Sequence, residues 1–147
     1  MMVEINNLSG VSLDKVFLKE IANKVLKRKK FELSIVLVKP TIIKKFNKKY
    51  RKKNRPTDVL SFFYGDSGEI VICPQEVKKN AKKFKTTYKK ELARVLIHGI
   101  LHLLGYNHEK SEKEAKEVEE TKVSSSPFAA ARVMEEKENY YLKLCLN

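Results

Sequence analysis

The sequence predicts an α+β fold as one domain over residues 1–147, with about four strands in a mixed sheet packed by helices around a central buried helix that carries histidines. Three observations predict it. Stretches dense in β-branched residues alternate with segments of helical apolar spacing. The 147 residues are about what one core requires. No internal repeat and no second core-forming region interrupts the series.

Val3 to Asn6 reads as a short first strand. From Leu13, apolar residues recur at Val16, Phe17, Ile21, Val25 and Leu26, a helical spacing, with Ser12 placed to cap it. Phe31 to Val38 alternates and then runs apolar, as a strand entering the core does. Pro40-Thr41 opens a helix whose Ile42, Ile43, Phe46 and Tyr50 share one face. Val59 to Tyr64 is a strand, Gly65-Asp66-Ser67-Gly68 its turn, and Glu69 to Cys73 the hairpin partner. Pro74 ends that strand and suits the first turn of a helix carrying Val77, Ala81 and Phe84. Thr87 caps the most apolar helix, in which Leu92, Val95, Leu96, Ile97, Ile100, Leu101, Leu103 and Leu104 cover most of the circumference. Gly105 is placed to end it in the left-handed conformation. Two further helical stretches, Ser111 to Lys122 and Ala129 to Leu144, flank Ser124-Ser125-Ser126-Pro127.

Composition removes several classes of protein. A hydrophobic fraction of 42% is too high for a disordered chain. No stretch approaches the ~18 consecutive apolar residues of a membrane span. Met1 to Asn7 has no basic start followed by an apolar run, so export by a signal peptide is not expected. Cys73 and Cys145 are too few for a disulfide framework and lack the paired spacing of a zinc knuckle. A cytoplasmic protein with no membrane partner is the expectation. Its charge is uneven: 31 Lys+Arg against 18 Asp+Glu gives +13. Thirteen basic residues and one acid lie between Lys27 and Arg55, and seven lysines with no acid between Lys78 and Lys90. Lysines clustered this way favour a polyanion such as nucleic acid, although solvated helix faces have the same composition.

All three histidines fall within eleven residues, at His98, His102 and His108. The first two are i and i+4 and project from one helix face. Gly105 turns the chain so that His108 can swing back towards them. Three neutral imidazoles with an open fourth position are the ligand set of a catalytic zinc site. The spacing, glycine included, is also that of metzincin proteases. Those enzymes place a glutamate after the first histidine as general base, whereas this chain has Gly99, which can neither take nor give a proton. A second constellation runs from Asn47 to Phe62. A guanidinium from it, Arg51 or Arg55, could hold a phosphate bidentately near a metal. Thr57-Asp58 reads as a turn-shaping pair.

Together these stretches resemble the YbeY family of metal-dependent endoribonucleases that act in ribosomal RNA maturation. The resemblance rests on His98-Gly99-Ile100-Leu101-His102-Leu103-Leu104-Gly105-Tyr106-Asn107-His108, Tyr50-Arg51, Pro56 to Phe62 and Gly68 to Cys73, in that family's order, and spans roughly Val3 to Val118. It implies one zinc ion, or another divalent transition metal, on His98, His102 and His108. It implies Arg51 as the functional arginine; Arg55, Lys48 and Lys52 of the same basic stretch are the further candidates for contact with RNA. By the same resemblance the substrate is single-stranded RNA, above all the 3′ end of the 16S rRNA precursor, with the small ribosomal subunit and assembly factors as partners and a part in ribosome quality control. Two departures stand out. Asn107 replaces the family's usual Asp, and residues 121–132 look like an insertion, with Val118-Glu119-Glu120 and Val133-Met134-Glu135-Glu136 resembling two copies of one helix register. A metal-dependent hydrolase of another substrate, or a ribosome assembly factor without catalysis, are the competing expectations.

Overall fold

Ile35 lies level with Ile5 on one side and Ile70 on the other, and these pairings set the register of the sheet. The computed structural model describes residues 2–27, 29–105 and 127–146, and in the last stretch side chains from Met134 onward. Its elements are β1 (Val3–Asn7), α1 (Lys15–Leu26), β2 (Glu32–Leu37), α2 (Pro40–Arg51), β3 (Val59–Phe63), β4 (Ser67–Ile72), α3 (Pro74–Lys83), α4 (Tyr88–Leu103) and α5 (Pro127–Leu146). The strand order is β1-β2-β4-β3. β1, β2 and β4 run parallel, while β3 pairs antiparallel with β4 and forms one edge. This is the expected mixed four-stranded α+β fold.

Both faces of the sheet are covered, which is why β2 reads as alternation and then as a continuous apolar run. Leu33, Ile35, Leu37, Ile70 and Ile72 face one core with Leu18, Ile21 and Leu26 of α1 and Leu96, Ile97 and Ile100 of α4. Val36, Val38, Leu60, Val71 and Cys73 face the other, under Ile43 and Phe46 of α2. Ten of α4's sixteen residues are buried, so it is the central helix. Thr87 caps it by accepting the Lys90 N–H at 3.1 Å, and Gly105 leaves it at φ +98°. α5 closes the first core with Met134 and Tyr141. Of the two register copies, the one at 133–136 is therefore docked, and the one at 118–120 lies outside the described residues.

Three local expectations are corrected. The cap of α1 is Asp14, whose carboxylate accepts the Phe17 N–H at 3.1 Å, and not Ser12. Gly68 belongs to β4 rather than the turn, because a Cβ there would sit 2.8 Å from Leu103 Cδ1 and 3.0 Å from Phe31 Cζ. The strand needs a glycine where α4's last turn presses on it. Phe84 lies one residue beyond α3 and is mostly in solvent instead of joining Val77 and Ala81 inside.

Candidate active site

α4 sits so closely on the sheet that a side chain at Gly99 would press on its neighbours. A Cβ there would meet Ile70 Cδ1 and Ser61 Oγ at 3.2 Å each, and the Ser61 hydroxyl donates to the Gly99 carbonyl at 3.2 Å. The position that carries the general base in metzincins thus faces the interior of this sheet.

The residues either side of that contact face a cleft. His98 and His102 bring their Nε2 atoms to 2.7 Å from each other, with ring centroids 4.3 Å apart and planes at 71°. Both are half-buried. α4 is the buried central helix that its leucines predict, yet the two histidines stand on a side that is only partly covered. The Nδ1 of His98 is engaged by the Glu138 carboxylate from α5. With Nδ1–H donating to an acid, Nε2 is the nitrogen left to act as a donor atom in the cleft.

The cleft has a volume of about 1150 Å³ and opens between α4, β3 and the segment 50–58; Arg51, Arg94, Glu91, His98, His102 and Glu138 are among its lining residues. Arg51 is exposed in the last turn of α2. The backbone that follows it is fixed by the way the helix ends. Lys52 adopts φ +57°, its N–H returns to Asn47 and Lys48 carbonyls, and the buried Asn47 amide donates to the Arg55 carbonyl at 2.9 Å. Asp58 ties the turn to its surroundings, its carbonyl accepting the Cys73 N–H at 2.9 Å and its carboxylate accepting Asn80 Nδ2–H at 3.2 Å, and Thr57 and Asp58 both line the cleft.

The structure therefore brings Arg51, His98 and His102 together. Arg55 lines a smaller hollow of about 270 Å³ that Arg51 also borders, not the histidine cleft. Lys48 and Lys52 are exposed and line neither. His108 and Asn107 lie outside the described residues, as does 121–126 of the expected insertion; residues 127–132 are the start of α5. Among the described residues no group of three His, Cys, Asp or Glu side chains is placed to hold a metal ion. Two converging imidazole nitrogens, one of them backed by a carboxylate, nonetheless suit a divalent transition metal as donors, and a third ligand from outside the described residues would complete the set.

Two acids were not singled out from sequence. Glu138 follows Met134 by one turn, so a register that buries Met134 carries Glu138 to the same side of α5. Glu91 is buried in the cleft wall, 3.4 Å from Arg94 Nε. Burial pushes its carboxyl above the ordinary glutamate value, Arg94 opposes this, and Asp58 and Glu138 add to it.

An α+β fold that presents a His-x-x-x-His helix to an arginine-lined cleft is the class these features define. A family model described as Endoribonuclease YbeY matches residues 4–126. The Endoribonuclease YbeY of Thermotoga neapolitana is 46% identical over 108 residues, covering 72% of this chain and 68% of its own length. That of Persephonella marina is 44% identical over 121 residues, covering 74% and 79%. A Thermotoga maritima protein solved in solution superimposes with a TM-score of 0.63 at 34% identity, covering 98% of this chain and 89% of its own. The chain belongs to the endoribonuclease YbeY family.

Proposed function

We propose that this chain is a single-strand-specific, zinc-dependent endoribonuclease that acts in ribosomal RNA processing, at the 3′ end of the 16S rRNA precursor, and in ribosome quality control in the cytoplasm. Family membership supports the endoribonuclease activity and the RNA substrate it requires. The small ribosomal subunit and its assembly factors are the partners this reading implies. No described helix is long and apolar enough to cross a membrane.

The observation that carries the reading is the placement of two converging imidazoles and a guanidinium in one cleft. His98 and His102, with His108, would hold the metal, which when bound supplies Lewis acidity towards a water and a phosphoryl oxygen. Glu138 holds His98 by its Nδ1–H and so fixes the ring's tautomer and direction. Arg51 engages the non-bridging phosphate oxygens, and its charge favours the extra negative charge that develops as the phosphodiester is attacked. Gly99, packed on Ile70 and Ser61, leaves a peptidase without its usual base.

Arg51→Ala tests the assignment, because the side chain is exposed and its loss spares the core. Cleavage of single-stranded RNA by the folded, metal-loaded variant is expected to fall by roughly 10²–10³ in kcat, the range for losing one donor to a developing charge. Arg51→Lys keeps the charge but not the fork, and recovers only part of the loss. Cleavage by Arg51→Ala at the parental rate would remove Arg51 from the mechanism.

A further inference from the structure

Four large aromatic side chains line the cleft beside the histidines: Tyr50, Phe62, Phe63 and Phe84. Three of them are mostly in solvent, Tyr50 at 55%, Phe63 at 59% and Phe84 at 61%. Rings of this size are usually hidden, since hiding one typically stabilises a fold by about 1.5–3 kcal/mol. Three left open around one concave site form a patch that marks a binding surface.

The rings come from separate elements and surround one feature. Tyr50 stands on α2, edge-on to Phe62 with centroids 5.1 Å apart. Phe63 rises from the opposite face of β3 and stacks on Phe31 at 6.4 Å with planes 7° apart. Phe84 projects just beyond α3. β3 is an edge strand, so the cleft wraps its open side. Cations accompany the rings: Lys49 Nζ lies 5.3 Å from the Tyr50 centroid and Lys83 Nζ 5.6 Å from that of Phe84.

We propose, resting on the endoribonuclease reading, that Tyr50, Phe63 and Phe84 stack on the bases of the substrate and make the cleft selective for unpaired RNA. The cations alone do not discriminate, because phosphates are as accessible in a duplex as in a single strand. An unpaired base offers its π-faces to a ring, whereas a paired base has both covered by its neighbours. Loss of one such stack changes affinity by a factor of about 5 to 150. That is enough for two or three rings to set the preference between strands.

Phe84→Ala is the most direct test, since Phe84 lies outside both cores. The full-length protein is titrated in chelator, so that RNA stays intact, with a short single-stranded RNA containing 2-aminopurine and with the same sequence as a duplex. Phe84→Ala is expected to weaken single-strand binding by roughly 5- to 150-fold and to reduce 2-aminopurine quenching, with duplex binding within about twofold. Phe84→Trp restores both signals. Variants at Phe84 and Phe63 that keep the parental ratio of single-strand to duplex affinity, or lower both affinities equally, would overturn the proposal. Metal-loaded parent that cuts no RNA would sink the endoribonuclease reading itself; parent that cuts RNA, with the same strand preference in the variants, sinks only the stacking.

Discussion

Glu138 reaches His98 from a helix forty residues further along the chain, and no local pattern announces it. The i, i+4 pair His98 and His102 is legible because helix geometry alone puts the two on one face. Arg51 is a different case: the residues around it left Arg51 and Arg55 equivalent, and only the family resemblance singled out the first. That Arg51 reaches the histidine cleft while Arg55 borders only the smaller hollow follows the turn in which α2 ends at Lys52, a conformation with positive φ that lysine rarely announces. Glu138→Ala removes the acceptor for His98 Nδ1–H, and zinc affinity measured against a competing chelator is expected to fall about 10- to 100-fold; an unchanged affinity would leave Glu138 with no part in the site. Glu91 is an acid whose folded-state pKa is raised by burial. Its contribution to stability is therefore greatest below its ordinary unfolded value and is lost as pH rises through the folded value. Glu91→Gln should unfold at higher denaturant concentration than the parent at pH 7, with the gap narrowing as pH falls towards 4. A variant less stable than the parent at pH 7 would show that the pairing with Arg94 outweighs the cost of burial.

Elements are most legible in the sequence where periodicity and a stop signal coincide. Pro40 and Pro74 both start helices at N1, Thr87 caps α4, and Gly105 ends it. Elements are least legible where a tertiary contact decides. Gly68 looks like a turn residue until Leu103 and Phe31 are placed over it. The leucines of α4 imply burial but do not say which side lacks cover, and that side carries the histidines. At Gly99 the same tight contact that seats α4 on β3 and β4 crowds any side chain. Gly99→Glu should therefore destabilise the fold by about 3 kcal/mol or more, through overpacking and a carboxylate forced against Ile70. Thermal denaturation checks this. A Gly99→Glu variant with parental stability would mean that the helix can lift from the sheet, and the argument against peptidase chemistry would lose its basis.

For the whole molecule, the net charge of +13 gains a direction. Its densest run, Lys27 to Arg55, includes β2 and α2 and contains Arg51, which lines the histidine cleft; the second run, Lys78 to Lys90, contains Phe84, which also lines it. The central claim is that His98 and His102 hold a metal on which RNA cleavage depends. The measurement that tests it most directly is cleavage of single-stranded RNA by the purified full-length protein before chelation, after it, and after zinc is returned, with His102→Ala in parallel. Cleavage that stops with chelator, returns with zinc and is absent in a folded His102→Ala variant is the predicted result; cleavage at the parental rate by chelated protein or by His102→Ala would contradict it.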